Sequence, residues 1–248
     1  MIYDRLTVAL LGALATERDN ATNAHIARYL ITHQEELGEI SVKGLASACN
    51  VGTGSISRFC REVGFESFDE LRREYVGAGR EYQLQKSSLQ MAKQVCAAIA
   101  QVEATIDRDA LERLVDDLCA FGHVMTFGML KAQAAAVDLQ VDLLMQGKYV
   151  ETCVSHAEQL RRISKAGRDT LIIVFSYTGS YFDARDLDEV MRRADRPKVW
   201  VVCGKRHAMP GFVGGRLLFS SVGDQVAHPY QLELAAGMIA QEYAKRTA

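Results

Sequence analysis

The feature that most constrains the fold is a change in the spacing of apolar residues near residue 107. Beyond that point, short apolar runs bounded by turn residues alternate with segments long enough to form helices. Such runs are typical of strands buried on both faces, and their alternation with helices predicts a doubly wound parallel α/β sheet. The predicted strands are His123 to Phe127, Leu171 to Phe175, Val199 to Cys203 and Leu217 to Phe219.

The predicted helices of this α/β region lie between and after those strands. They run from Lys131 to Met145, His156 to Ala166, Tyr181 to Ala194 and Pro229 to Lys245. The stretch Gly147 to Thr152 predicts one further, weaker strand, so we expect a sheet of about five strands.

The first part of the chain predicts an all-α unit. All three prolines lie in the last quarter of the sequence, so no proline interrupts the segments before them. The polar stretch Arg80 to Thr105 is typical of a connecting helix. We therefore predict a helical domain over residues 1–76, a linker helix over 77–106 and an α/β domain over 107–248. The helices expected in the first domain are Ala24 to Thr32, Ser41 to Cys49, Thr53 to Val63 and Ser67 to Val76.

Composition excludes several classes of protein. The chain is 48% apolar and 24% charged with a net charge of −2, so it is neither a disordered chain nor a strongly basic coat for nucleic acid. Its six cysteines have no CxxC or Cys/His zinc spacing, and we predict no metal and no cofactor. The uncharged stretch Leu6 to Ala15 is too short to span a membrane, and its helical spacing differs from a cleavable leader. We expect a cytoplasmic protein with no membrane partner.

Two short helices joined by a tight turn predict a helix-turn-helix. Ser41 can cap the first helix, Asn50-Val51-Gly52 forms the turn, and Thr53 can cap the second helix. Burial of the apolar faces leaves hydroxyl and basic residues outside, where they can contact DNA. An ordinary helical hairpin would show the same capping and spacing. The candidate DNA-binding residues are Ser41, Lys43, Thr53, Ser55, Ser57, Arg58 and Arg61.

The charge of this unit limits how it can bind DNA. Residues 1–76 contain eight Lys or Arg and eleven Asp or Glu. Because few phosphates can be neutralised by one protomer, affinity must come from two copies that read two half-sites of an operator. We therefore expect a homodimer or a homotetramer.

The residues of the second helix resemble a known family. The run from Ser57 to Phe65, with Ile40 to Ala46 before it and Phe68, Glu70, Leu71 and Arg72 after it, is similar to the helix-turn-helix of RpiR-type transcriptional regulators. Gly54 departs from the family pattern, in which a better helix former is usual; a glycine there costs up to ~1 kcal/mol. The resemblance implies a regulator that binds double-stranded DNA.

A second group of candidate residues follows the strand Leu171 to Phe175. Ser176, Thr178, Gly179 and Ser180 lie where the strand leads into a predicted helix, and hydroxyls and free N–H groups at such a place suit a phosphate. The same residue types also serve as ordinary capping residues in any strand-to-helix turn.

These residues resemble the SxSGxT loop of the sugar isomerase (SIS) domain, which implies a phosphosugar ligand. The first SIS loop departs from its FGxGxS pattern, because Phe127 and Gly128 are followed by Met129, Leu130, Lys131 and Ala132. A glycine and a serine are therefore missing, and Lys131 can either supply a charge in place of the lost hydroxyl or be a solvated surface residue. Lys205 to His207, after a later strand, can line the rim of the same site or form a solvated loop. The candidate ligand residues are Gly128, Lys131, Ser176, Thr178, Gly179 and Ser180.

The leading interpretation is a transcriptional regulator, not an enzyme, whose SIS-like domain senses a phosphosugar and controls genes of sugar metabolism. One alternative is a sugar-phosphate isomerase, for which Glu189, His207, His228 and Glu233 are the available acid–base residues. A second alternative is a regulator that uses the SIS-like domain only for oligomerisation, which Leu130 and Ala132 favour.

Overall fold

The computed structural model describes residues 5–15, 21–76, 87–182, 187, 189–204, 208–221 and 225–248. The chain divides into two compact units. The helical unit comprises the described residues of Tyr3–Glu81 together with Val154–Leu160. The α/β unit comprises the described residues of Tyr82–Cys153 and Arg161–Ala248. The domain boundaries predicted above remain predictions.

Amphipathic helices with a shared core build the helical unit. Ile56, Phe59 and Leu71 are fully buried in a cluster to which every helix of the first 76 residues contributes. The helices predicted between residues 24 and 76 are confirmed, with ends that differ by at most three residues. They are α2 (Ala21–Thr32), α3 (Val42–Ala48), α4 (Thr53–Glu62) and α5 (Phe68–Val76), and they follow α1 (Arg5–Ala15).

Among its described residues, the α/β unit contains four strands and four complete α-helices, α6 (Ser88–Thr105), α7 (Arg108–Ala120), α8 (Ala132–Met145) and α10 (His228–Thr247). A further helix, α9 (His156–Lys165), begins in the helical unit and ends in the α/β unit, because the boundary falls after Leu160. The strands of the α/β unit are β1 (His123–Gly128), β2 (Thr170–Phe175), β3 (Lys198–Cys203) and β4 (Val213–Leu218). No helix of the described residues is long and apolar enough to cross a lipid bilayer.

The sheet is parallel, as predicted. Its strand order is β1-β2-β3-β4, and Gly128 pairs with Phe175 where β1 and β2 end. All six residues of β2 are buried, which explains the continuous apolar run in its sequence. On the other side of β1, Glu151 forms one parallel bridge with Met125. The fifth strand expected over residues 147–152 is thus a single bridge, and the doubly wound order is retained.

Two further predicted elements differ from the structure. The helix expected from Tyr181 to Ala194 is wrong for its described residues, which contain only a 3-10 turn over Val190–Arg192; positions 183–186 and 188 lie outside the described residues. Tyr181 and Phe182 are consecutive and both buried, which a turn allows more readily than the single buried face of a surface helix. Strand β4 begins four residues before the predicted start, because Gly214 and Gly215 interrupt the apolar pattern.

The stretch predicted as a linker ends in the core of the α/β unit. Val102 of α6 is fully buried in the same cluster as Leu232 and Ile239 of α10. The side-chain amide of Gln231 also donates a hydrogen bond to the carbonyl of Ala98 at 3.0 Å. The last two turns of α6 therefore help to stabilise the α/β unit.

Candidate functional site

Helix α4 has a polar, exposed face and, opposite it, an apolar face that packs in the core of the helical unit. Ile56, Phe59 and Cys60 are fully buried, and burial raises the pKa of the Cys60 thiol to about 11. The predicted DNA-binding residues of this helix lie on the other side: Thr53, Ser57, Arg58 and Arg61 are exposed and Ser55 is half-buried. The amphipathic pattern thus separates a packing face from a face that is open to a partner.

The turn between α3 and α4 positions this face. Asn50 has a left-handed backbone (φ 51°), which asparagine adopts more readily than most residues, and the amide of Val51 donates back to the carbonyl of Ala46 at 2.9 Å. The predicted capping role of Thr53 is wrong. Gly52 is the N-cap residue, because its carbonyl already accepts the amide of Ser55 at 2.9 Å, and no side chain caps the helix.

Helix α3 contributes two predicted residues. Ser41 caps it as expected, since its hydroxyl oxygen accepts the amide of Gly44 at 3.0 Å. Lys43 is exposed in the first turn. Within the described residues, neither Lys43 nor Arg58 takes part in an ion pair, while Arg61 donates its Nε to the carbonyl of Ser57 at 3.3 Å. These cations are therefore available to an anionic partner.

The predicted ligand residues follow two neighbouring strands. The loop after β1 and the loop after β2 leave the same edge of the sheet, because Gly128 and Phe175 are paired in register. The chain order reverses here, since the bridge at Glu151 lies on one side of β1 and β2 on the other. This is the topological switch point at which open α/β sheets bind ligands.

The loop after β2 is compact and rich in hydroxyls. Ser176 and Ser180 are buried, and the hydroxyls of Thr178 and Ser180 are 2.6 Å apart. Gly179 has a φ of 79° and donates its amide to the carbonyl of Ser176 at 2.9 Å. The helix expected directly after this loop is absent from Tyr181 and Phe182. Within the described residues, no helix therefore begins at Ser180, Tyr181 or Phe182.

The loop after β1 folds back closely on the start of α8. A Cβ on Gly128 would lie 2.5 Å from the carbonyl oxygen of Ala132, so only glycine fits there. Leu130, at the position where the family pattern has glycine, keeps a left-handed backbone with a φ of 51°. Lys131 is exposed at the start of α8. The loop thus retains the backbone course that favours glycine while carrying a leucine side chain.

Sequence reasoning missed two polar groups beside these loops. Buried Gln133 accepts the amide of Gly128 at 3.1 Å and donates to the hydroxyl of Thr152 at 2.8 Å. Buried Tyr177 places its hydroxyl 2.6 Å from that of Ser221. The sequence does not reveal the hydrogen bond between Gln133 and Gly128, because that bond depends on how the loop after β1 folds back on α8.

Three of the four residues considered for an isomerase lie among the described residues. Glu189 is exposed, buried His228 lies against the ring of Tyr177, and Glu233 has a pKa raised by burial and by the charge of Asp138. His207, with Lys205 and Arg206, lies outside the described residues. Among the residues that are described, no three His, Cys, Asp or Glu side chains group as metal ligands would.

Known proteins resemble both the helix-turn-helix region and the α/β region of this chain. Residues 13–78 match the model of the helix-turn-helix domain of the rpiR family. An uncharacterised HTH-type transcriptional regulator of Providencia stuartii is 20% identical over 192 residues, which cover 72% of this chain and 67% of that protein.

Two solved structures share the fold. The NanR protein of Vibrio vulnificus, complexed with ManNAc-6P, has a TM-score of 0.56 at 16% identity and covers 96% of this chain and 92% of its own. The sugar isomerase domain of an RpiR transcription factor from Sphaerobacter thermophilus has a TM-score of 0.54 at 20% identity, with coverage of 65% and 92%. At these identities the likeness establishes the fold alone.

Proposed function

We propose that the chain, whose residues 13–78 match the rpiR-family helix-turn-helix, is an RpiR-type transcriptional regulator that binds operator DNA through α3 and α4 and senses a phosphosugar with its α/β unit. The outcome would be ligand-dependent control of genes of sugar metabolism, exerted in the cytoplasm where the DNA lies. In this proposal the protein regulates transcription and does not act as an enzyme.

The outward face of α4 carries the DNA-binding part of this proposal. Small hydroxyl residues at the start of a helix allow close approach to a groove, and Arg58 and Arg61 can reach guanine edges or phosphates. Because the helical unit is acidic overall, these few cations supply most of the attraction. We therefore infer that two copies bind together.

The test is DNA titration at several salt concentrations, with DNA from around the protein's own gene. We expect Arg58→Ala with Arg61→Ala to weaken binding by about 100-fold and to reduce the slope of log affinity against log salt by about 2. Arg108→Ala with Arg113→Ala, at two exposed positions of α7 in the α/β unit, is the charge-matched control and should leave binding unchanged. Binding that survives the double substitution would remove the proposed interface.

The switch point between β1 and β2 carries the ligand-binding part. Thr178, Gly179 and Ser180 offer two hydroxyls and a glycine turn, and exposed Lys131 offers a positive charge on the neighbouring loop. That the NanR structure contains ManNAc-6P supports a phosphosugar as the ligand class.

A thermal-shift panel of sugar phosphates, with unphosphorylated sugars and inorganic phosphate as controls, tests this part. We expect a stabilising ligand whose effect is lost in Thr178→Val and weakened in Lys131→Ala. No stabilisation across the panel would instead favour the regulator without a ligand, which the leucine at position 130 and the alanine at position 132 support.

A further inference from the structure

A cavity of about 540 Å³ lies between α7 and the amino-terminal parts of β3 and β4. The candidate ligand loops follow the carboxyl ends of β1 and β2, so this cavity is at the other end of the sheet. Its volume is within the range of about 300–1,000 Å³ that is typical of sites for small molecules. We define the α7 cavity by Arg113, Asp116, Asp117, Lys198, Trp200 and residues 213–216.

Both carboxylates of the α7 cavity already have a cationic partner. Asp117 accepts the Nζ of Lys198 at 2.7 Å with one oxygen and the indole Nε1 of Trp200 at 2.7 Å with the other. Asp116 accepts the Nη1 of Arg246 at 2.6 Å. Because each carboxylate is paired with its own cation, neither of them is left to balance a further positive charge.

Two arginines of the α7 cavity have no such partner. Arg113 on α7 and Arg216 on β4 are exposed, and neither forms a hydrogen bond or an ion pair with the residues that the structure describes. Their two positive charges are therefore available to a ligand. The planar guanidinium group matches carboxylate and phosphate groups, which it binds through paired, charge-assisted hydrogen bonds.

The backbone of β4 shapes one wall of the cavity. Val199 pairs with Val213, whereas Trp200 pairs with Gly215, so Gly214 is an extra residue that forms a β-bulge. A Cβ on Gly215 would lie 2.4 Å from the ring of Trp200, so only glycine lets β4 pack directly on the indole. Bulges redirect the side chains that follow them and are frequent beside functional sites. This one lies two residues before Arg216.

We propose that the α7 cavity is a second ligand site, which binds a small metabolite with two anionic groups. Arg113 and Arg216 lie on two different walls of the cavity, one on α7 and one on β4, so each can bind one of the two groups. Two uncompensated cations favour such a ligand over a neutral sugar. The argument uses no residue of the switch point between β1 and β2 and does not rest on the proposed function.

Calorimetric titration of the full chain with citrate, and separately with pyrophosphate, tests this proposal at constant ionic strength. We expect at least one probe to bind with a Kd below about 1 mM, and Arg113→Gln and Arg216→Gln each to weaken its binding by about tenfold or more. Binding of citrate alone would identify a carboxylate ligand, and binding of pyrophosphate alone a phosphate ligand. Trp200 is the only tryptophan of the chain, so its fluorescence should change when the cavity is occupied.

Arg108→Gln is the matched control, because Arg108 is exposed on the same helix but lies outside the cavity. It removes the same charge and should leave probe binding unchanged. Circular dichroism confirms that each variant is folded. The absence of saturable binding by either probe, or binding that both arginine variants retain in full, would overturn the proposal.

Thr178→Val separates this cavity from the switch point. It should leave the tryptophan signal and its dependence on the probe unchanged. If Thr178→Val instead abolishes probe binding, the probe binds at the switch point and the α7 cavity is not the site. If neither probe binds while a phosphosugar still stabilises the native chain but not Thr178→Val, the proposed function stands and only this second site is wrong.

Discussion

At the scale of single residues, the backbone of the loop after β1 decides which substitutions the candidate ligand site accepts. Gly128 is required by a close backbone approach, whereas Leu130 holds a left-handed conformation that costs a leucine of the order of 1 kcal/mol. Such a conformation persists only where its surroundings enforce it, and here the amides of Ala132 and Gln133 close two turns over the loop.

Gly128→Ala should destabilise the α/β unit. The new Cβ would meet the carbonyl group of Ala132 at 2.5 Å and the amide of Gln133 at 2.8 Å, so backbone must move. We expect a loss of about 1–3 kcal/mol in the free energy of unfolding, measured by urea denaturation. Gly122→Ala is the control, because a Cβ there meets nothing within 4 Å. Equal effects of the two substitutions would contradict the steric argument.

At the scale of elements, the sequence predicted those helices and strands whose apolar spacing is set by burial alone. Strand β2 and helix α4 are of this kind, because burial alone sets their patterns. The segment after Ser180 could not be predicted, since its charged and aromatic residues also satisfy helical spacing while Tyr181 and Phe182 are both buried in a turn. The start of β4 was missed because Gly215 makes room for the ring of Trp200, a contact between strands that leaves no local pattern.

In the candidate sites, too, some features could be predicted from the sequence and others could not. The placement of Arg58 and Arg61 on the exposed face of α4 follows from the amphipathic pattern, so the sequence was sufficient to predict it. The bond between Gly128 and Gln133 joins a loop to a helix, and no periodic signal marks it. Leu130 marks a departure from the family pattern in sequence, but only the structure reveals that its backbone stays left-handed.

Helix α8 carries a carboxylate whose titration should affect stability. Burial, and then the neighbouring charge of Asp142, raise the pKa of Asp138 above its ordinary value of 3.8. Because the folded chain then holds this proton more tightly than the unfolded chain, ionisation lowers stability as pH rises from 3.8 through the raised pKa. Asp138→Asn should therefore increase Tm at pH 7, with no gain below pH 3.8.

Thermal unfolding from pH 3 to pH 8 measures this difference. Asp138→Glu keeps a carboxyl group at the position and should retain a pH-dependent Tm difference from the asparagine variant. Glu233, whose pKa is also raised by the charge of Asp138, should contribute to the gain in the same direction. A gain of equal size at pH 3 and pH 7 would show that packing, not ionisation, is responsible.

At the scale of the whole molecule, a ligand at the switch point can regulate DNA binding only if it prefers one state of the chain over another. A ligand that binds both states equally shifts nothing, however tightly it binds. The proposed regulation is therefore a coupling free energy between ligand binding by the α/β unit and DNA binding by the helical unit.

That coupling must be reciprocal, which makes it measurable from both sides. If saturating phosphosugar changes operator affinity by a given factor, typically about 5 to 150-fold, saturating operator must change phosphosugar affinity by the same factor. Calorimetry of the ligand with and without operator gives one factor, and DNA titration with and without ligand gives the other. Arg58→Ala with Arg61→Ala should abolish the effect of operator on the ligand while leaving the affinity of the ligand for the free protein unchanged. If a ligand binds tightly but leaves operator affinity unchanged, that ligand is not the effector.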